Sequence, residues 1–213
     1  MRSQAQRPRK PSRVDIRSQK TLLDAFFRIE QYNVSHERFD GKMSKYESWL
    51  NFERGDAVGV LLFNVDTHSV VLVEQFKLPA LIGRRRDRPT TQNGWIVEVV
   101  AGMIGHDETA ERAAVRETLE ETGYQIDNPV LICKFLSSPG GTSERIFLYF
   151  ATVSDSRRPG KDQIGVGRED IRVLERGVNE LFDQLHKAEI DDPKLAIAAY
   201  WLKDNMARIE ALD

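Results

Sequence analysis

Three glutamates, Glu117, Glu120 and Glu121, crowd one helical turn that stops at Gly123. Residues three and four apart are neighbours on a helix, so Glu117 faces both of the others, and each like-charged pair costs roughly 0.2–0.5 kcal/mol. Gly123 reads as a helix C-cap, and carboxylates near a C-terminus oppose the macrodipole by roughly 0.3–1 kcal/mol. A bound cation relieves both penalties. Hard divalent ions such as magnesium or manganese take carboxylate and carbonyl oxygens, and no thiol or imidazole cluster accompanies the glutamates to indicate zinc. A solvated acidic face is the ordinary reading of a Glu-rich turn. The spacing around the triple reverses that reading.

The spacing runs Gly102, Glu108, Arg116-Glu117, Glu120-Glu121, Gly123 and Tyr124 within GMIGHDETAERAAVRETLEETGY. In full it resembles the signature of the Nudix hydrolases, with Thr118 where the family usually has an aliphatic residue. The resemblance implies that Glu117 and Glu121 are the principal metal ligands, that Glu120 is a further ligand or lies close behind one, and that the Ala101 carbonyl also ligates. By the same resemblance Arg116 and Glu108 are mainly architectural, joined in a salt bridge, although Arg116 is kept among the catalytic candidates. Glu98 on the preceding strand is expected near substrate or metal. It stands among apolar neighbours in WIVEVV, and an unpaired carboxylate there is expensive, so a metal, a basic partner or an open cleft is implied.

The elements that must carry these residues can be read around them. AVGVLLFN and SVVLVEQFKL read as strands joined around Asp66-Thr67-His68, and another strand starts at Trp95. Val130–Ser137 and Arg145–Thr152 read as strands flanking a Pro139-Gly140-Gly141 turn, and a long helix follows Pro193 with Ala198, Trp201, Leu202, Met206 and Ile209 on one stripe. Upstream, Ala25 to Phe52 resembles a hairpin turning at Asp40-Gly41. The expected architecture is α+β: the Nudix α/β/α sandwich with a mixed sheet, supplied by the resemblance, plus an N-terminal β-hairpin subdomain. The expected domains are a flexible basic tail over 1–20, an N-terminal β subdomain over 21–54 and a catalytic domain over 55–213. The tail reading rests on seven Arg and Lys residues and little that is apolar. The stretch from Pro79 to Gly94, with Arg84, Arg85, Arg86 and Arg88, reads as an exposed loop.

FLSSPGGTSER, together with FERG, VEQF, VEVVAGMI and GREDIRV in matching order, looks like the ADP-ribose pyrophosphatase subgroup and its nucleotide-sugar-cleaving relatives, over most of residues 25–210. That likeness implies a homodimer whose N-terminal strands cross to the partner, Phe26 stacking on the nucleoside base, and Glu144 approaching the substrate. Three positions depart from it. Trp49 stands where an arginine is common, and an indole stacks but does not neutralise phosphate. Lys77 replaces an arginine, keeping charge without the bidentate fork. The loop glutamate that activates water in relatives falls at Gly165-Val166-Gly167-Arg168, which leaves Glu169 as candidate base or ligand and Glu120 as its substitute.

The implied reaction is Mg2+-dependent hydrolysis of a nucleotide sugar, with ADP-ribose giving AMP and ribose 5-phosphate. GDP-mannose or another nucleoside diphosphate sugar is the alternative, and a ligand-sensing Nudix module without catalysis is the reading from another class. The composition sets bounds: 213 residues, 40% hydrophobic and a net charge of −2 give no overall basic field for nucleic acid. No apolar run is long enough to span a membrane, and the lone Cys133 cannot form an internal disulfide, which points to a reducing, cytoplasmic setting.

Overall fold

The computed structural model describes residues 10–82, 93–158 and 170–209. Two compact units result: one holds residues up to Gly55 together with Leu136–Glu144, the other Asp56–Phe135 and the chain from Arg145 onward.

In the first unit β1 (Val14–Asp24), β2 (Arg28–His36) and β3 (Glu47–Glu53) form an antiparallel sheet in the order β1-β2-β3. The expected hairpin is β2 and β3, and its turn lies at Asp40-Gly41: the Asp40 carboxylate accepts from Lys42 N at 3.0 Å, and Gly41 takes a φ of 80° that disfavours any side chain. The basic stretch expected to be a tail through residue 20 is instead a paired strand from Val14. Register shifts at Ile16/Ser18 and Thr21/Leu23 interrupt its alternation, which is why periodicity does not announce it. The Leu136–Glu144 segment joins this unit along β3, where Phe52 N donates to Gly141 O at 2.8 Å and Thr142 Oγ1 to Phe52 O at 2.7 Å.

The second unit is a mixed sheet with helices on both faces. Its strands are β4 (Ala57–Asn64), β5 (Ser69–Phe76), β6 (Trp95–Glu98), β7 (Val100–Met103), β8 (Val130–Leu136), β9 (Arg145–Val153) and β10 (Ile171–Gly177). The main order is β10-β5-β4-β9-β8, with β4 and β9 parallel. The helices are α1 (Leu78–Ile82), α2 (Ala110–Thr122), α3 (Val178–His186) and α4 (Pro193–Ile209). α1 corrects the reading of the post-Leu78 stretch as loop: Pro79 is tolerated in a first helical turn, where its missing N–H has no partner to lose.

Alternation along the central strands sorts the core into two layers. Leu61, Phe63, Val70 and Leu72 meet Leu181 of α3 and Leu195, Ala198 and Leu202 of α4. Val58, Val60, Leu62, Val71 and Val73 meet Ala113 and Ala114 of α2. Each fully buried aliphatic side chain contributes roughly 1.5–3 kcal/mol, so both helical layers are held by the same sheet from opposite sides.

The site is framed by a change of partner. β4 pairs with β5 only over Leu62–Asn64, and beyond that the two strands part. β6 pairs with β5 and β7 with β4, so a segment that reads as one strand is split at Val99 and wedges between them. Glu98 and Ala101 lie on either side of that bend.

Candidate functional site

Helix α2 begins where Thr109 Oγ1 accepts from Arg112 N at 3.3 Å, and it ends where Gly123, with φ of 74°, donates to Leu119 O at 2.9 Å. Its buried stripe is Ala113, Ala114, Thr118, Glu121 and Thr122. Thr118 fits the apolar layer because its hydroxyl donates back to Ala114 O at 2.7 Å. The three glutamates therefore differ by face. Glu121 is buried with the stripe, whereas Glu117 and Glu120 lie toward the helix flank.

Arg116 holds that flank. Nε and Nη2 donate to the two oxygens of Glu108 at 2.9 and 2.8 Å, Nη2 also to Met103 O at 3.0 Å, and Nη1 to Glu117 Oε1 and Glu120 Oε2 at 2.7 and 3.0 Å. The bidentate hydrogen bonding from Arg116 draws the Glu108 carboxyl down to about 2. The architectural bridge between Arg116 and Glu108 is present, and the same guanidinium offsets the like-charge repulsion between Glu117 and Glu120.

Glu121 has different surroundings. Its Oε1 accepts from Gln75 Nε2 at 2.7 Å and its Oε2 from Ala101 N at 3.1 Å. Burial between helix and sheet nevertheless pushes its carboxyl up to about 7, with the charges of Glu98 and Glu117 adding to the effect and the two hydrogen bonds opposing it. Glu117 approaches the same strand through Gly102, where a Cβ would collide with its carboxylate.

Glu98 is buried between two lysines. Its Oε2 lies 3.3 Å from Lys194 Nζ and its Oε1 3.0 Å from Lys77 Nζ, the latter as an ion pair without a well-aligned hydrogen bond. The basic partner implied by its apolar neighbours is thus doubled. Lys194 and its neighbour Asp192 were not singled out in the sequence: Asp192-Pro193 announces a helix start, but nothing local connects it to a strand 96 residues away. Asp192 caps α4, accepting from Leu195 N at 3.2 Å, and also accepts from Val99 N at 3.4 Å at the bend. Gln75 was likewise missed; it lies within the VEQF strand, and its alternation with Val73 places it on the α2 face.

Of the sequence candidates, Ala101, Glu117, Glu120, Glu121, Arg116, Glu98 and Lys77 belong to the second unit. Phe26, Trp49 and Glu144 belong to the first. There Phe26 and Trp49 are exposed, and Phe26 stacks edge-on with Phe27, whose ring lies beneath the Arg54 guanidinium. Glu144 is buried with Arg54 Nε 3.0 Å from its Oε1. Glu169 and the arginines at 84, 85, 86 and 88 lie outside the described residues.

The donor set tests whether a metal fits. Among the described residues no three His, Cys, Asp or Glu side chains converge on one point, because Arg116 draws Glu117 and Glu120 to itself. The chemistry of the set is all oxygen. A buried carboxyl whose ionisation burial disfavours, a second lodged where a Cβ would otherwise be and a third on the same turn suit a hard divalent cation, which favours the ionised form. The residues fit such an ion.

A mixed sheet between helical layers, with an acidic helix set against a partner-switching strand, defines a class of fold and site. The chain matches the NUDIX domain model over residues 53–195 and belongs to that family, the Nudix hydrolases. Nudix hydrolases generally use a divalent metal. Among curated proteins it is 34% identical over 190 residues to the ADP-ribose pyrophosphatase of Escherichia coli (strain K12), covering 89% of this chain and 88% of the relative. It is 28% identical over 197 residues to the ADP-ribose pyrophosphatase of Haemophilus influenzae, covering 92% and 89%. The GDP-mannose pyrophosphatase of Escherichia coli (strain SMS-3-5) is 29% identical over 184 residues, covering 86% and 92%. A solved structure described as an ADP compounds hydrolase aligns with a TM-score of 0.63 over 94% of this chain and 98% of that one; at 17% identity this bears on the fold alone.

Proposed function

We propose that this protein hydrolyses the diphosphate bond of a nucleotide sugar in a Mg2+-dependent reaction, with ADP-ribose as substrate and AMP and ribose 5-phosphate as products. The observation that carries the reading is the oxygen donor set of α2 beside Ala101 at the β6–β7 bend, in a chain 34% identical to an ADP-ribose pyrophosphatase over 89% of its length.

Glu117, Glu121 and the Ala101 carbonyl, with Glu120, would hold the metal. When bound, Mg2+ neutralises the diphosphate and lowers the pKa of water. Arg116 keeps Glu117 and Glu120 on one flank of the helix. Lys77, half-exposed at the end of β5, offers positive charge to a phosphate oxygen. Attack of water on phosphorus releases a proton to a carboxylate, for which Glu169 is the candidate and Glu120 the substitute. In the first unit Phe26 offers a ring for the base, Trp49 a second surface and Glu144 a carboxylate held by Arg54.

Trp49 and Lys77, where relatives carry arginine, favour a second reading in which another nucleotide sugar such as GDP-mannose is preferred. The exposed apolar residues of the N-terminal sheet, Val14, Ile16, Leu22, Leu23 and Leu50 among them, support a homodimer built through those strands. A reducing, cytoplasmic setting is supported by a chain with one cysteine.

The test is turnover of ADP-ribose, GDP-mannose and other nucleotide sugars with and without Mg2+, with products resolved chromatographically. The expected result is Mg2+-dependent AMP from ADP-ribose. Preference for GDP-mannose would leave the chemistry and replace the substrate, and cleavage of none would leave a ligand-sensing module.

A further inference from the structure

We propose that Lys194, at the start of α4, is a positioning residue for the metal-facing carboxylate Glu121, acting through a ladder of alternating donors and acceptors that crosses the β6–β7 bend. The inference rests on the reading that Glu121 is a metal ligand.

The ladder is continuous in named atoms. Asp192 Oδ1 lies 2.8 Å from Lys194 Nζ, Lys194 Nζ 3.3 Å from Glu98 Oε2, and Glu98 Oε1 3.0 Å from Lys77 Nζ. Lys77 Nζ donates to Gln75 Oε1 at 3.1 Å, and Gln75 Nε2 donates to Glu121 Oε1 at 2.7 Å. Each step constrains the next. A side-chain amide has one acceptor end and one donor end, so an ammonium on its oxygen leaves its NH2 for the glutamate. Gln75 is therefore oriented by Lys77, and Lys77 is placed by Glu98.

Glu98 in turn has few ways to be held. It is 4% exposed, and Lys77 is the more exposed of its two cations, so the fixed charge beneath it is Lys194. The fold makes room for that side chain. A Cβ at Gly59 on β4 would come within 3.2 Å of Lys194 Cδ and 3.3 Å of Val99 Cγ2, so a glycine leaves the passage through which the lysine stem reaches the bend. Asp192 fixes both ends of this arrangement, taking Lys194 Nζ on one oxygen and Val99 N on the other. Without Lys194, Glu98 keeps its buried charge and draws Lys77 fully to itself. Gln75 then loses the contact that orients its amide, and Glu121 loses its side-chain donor.

Outer partners of metal ligands change metal affinity by about 10–100-fold when removed. The experiment measures Mn2+ binding to the full chain without nucleotide, by the electron paramagnetic resonance signal of free Mn2+, together with the thermal midpoint. Lys194→Met is expected to raise the Mn2+ Kd about tenfold or more. The double variant Lys194→Met/Glu98→Gln removes the uncompensated buried charge, so its midpoint recovers, while its Kd stays raised because the ion pair that places Lys77 is lost with it. Wild-type Mn2+ affinity in Lys194→Met, or recovery of affinity together with stability in the double variant, would overturn the proposal, because Lys194 would then only neutralise Glu98. Should the single variant not fold, the double variant carries the test. Glu121→Gln separates the two readings: wild-type affinity there removes the ligand assignment itself, whereas weakened binding there beside unaffected Lys194 variants removes only the ladder.

Discussion

Glu37 in the N-terminal sheet and Glu121 on α2 are buried to nearly the same degree, 2% and 3% exposed, yet their acidities move in opposite directions. Glu37 accepts from Ser12 N at 3.1 Å, Arg13 N at 3.3 Å and Arg13 Nη2 at 3.1 Å. These donors, led by the Ser12 N–H, draw its carboxyl down to about 2. Burial pushes the Glu37 carboxyl the other way, but the donors from Ser12 and Arg13 outweigh it. Glu121 has two hydrogen bonds of its own, but it is packed between a helix and a sheet, and desolvation carries it up to about 7. Depth of packing and the sign of neighbouring charge, rather than exposure, separate the two carboxylates.

Removing the Glu121 charge is expected to have the largest effect. On the proposed role of Glu121 as a metal ligand, Glu121→Gln is expected to lower turnover at least about 100-fold, since a direct ligand matters more than its outer partners. The thermal midpoint of the metal-free protein should fall less than for an ordinary core substitution, because the buried charge is removed while only one of the two accepted hydrogen bonds is lost. A drop in midpoint as large as that of an ordinary core substitution would instead make Glu121 a structural acid like Glu37.

A smaller effect is expected from Gly102→Ala. Its methyl group would displace the Glu117 carboxylate from the β7 backbone, raising the metal concentration for half-maximal activity by about tenfold. An unchanged metal titration would show that the close approach of Glu117 to β7 does nothing for binding.

The smallest effect belongs to Glu37→Gln. A carboxyl depressed in the folded state contributes stability above its ordinary value of 4.5 and loses it as pH falls toward about 2, so the wild-type midpoint should decline across that window. The amide variant should start a few degrees lower at neutral pH and lack that part of the acid slope. Thermal scans between those pH values decide it, and parallel slopes would mean that the strand clasp is not electrostatic.

The helix with the glutamates was legible because caps and spacing are local: Gly123 stops α2 as expected, and the bridge from Arg116 to Glu108 closes over eight residues. The central strands were legible because β4 and β5 are short, nearly continuous apolar runs, buried on both faces. Three features were not. The polar strand β1 owes its order to pairing with β2 and is interrupted by two register shifts, so its composition reads as solvent-loving chain. The break at Val99 is invisible in WIVEVV because both halves remain β; only the parting of β4 and β5 requires a change of partner. Lys194 and Asp192 meet Glu98 and Val99 through tertiary contacts for which no local signal exists.

That break has a consequence for motion. Between the ladders of β6 and β7, the Val99 amide is bonded to Asp192 at the head of α4. Its exchange with solvent deuterium should therefore follow undocking of the C-terminal helix, in step with the Leu195 amide that shares the same carboxylate oxygen. One backbone proton in the middle of the sheet becomes a gauge of whether the last helix is seated.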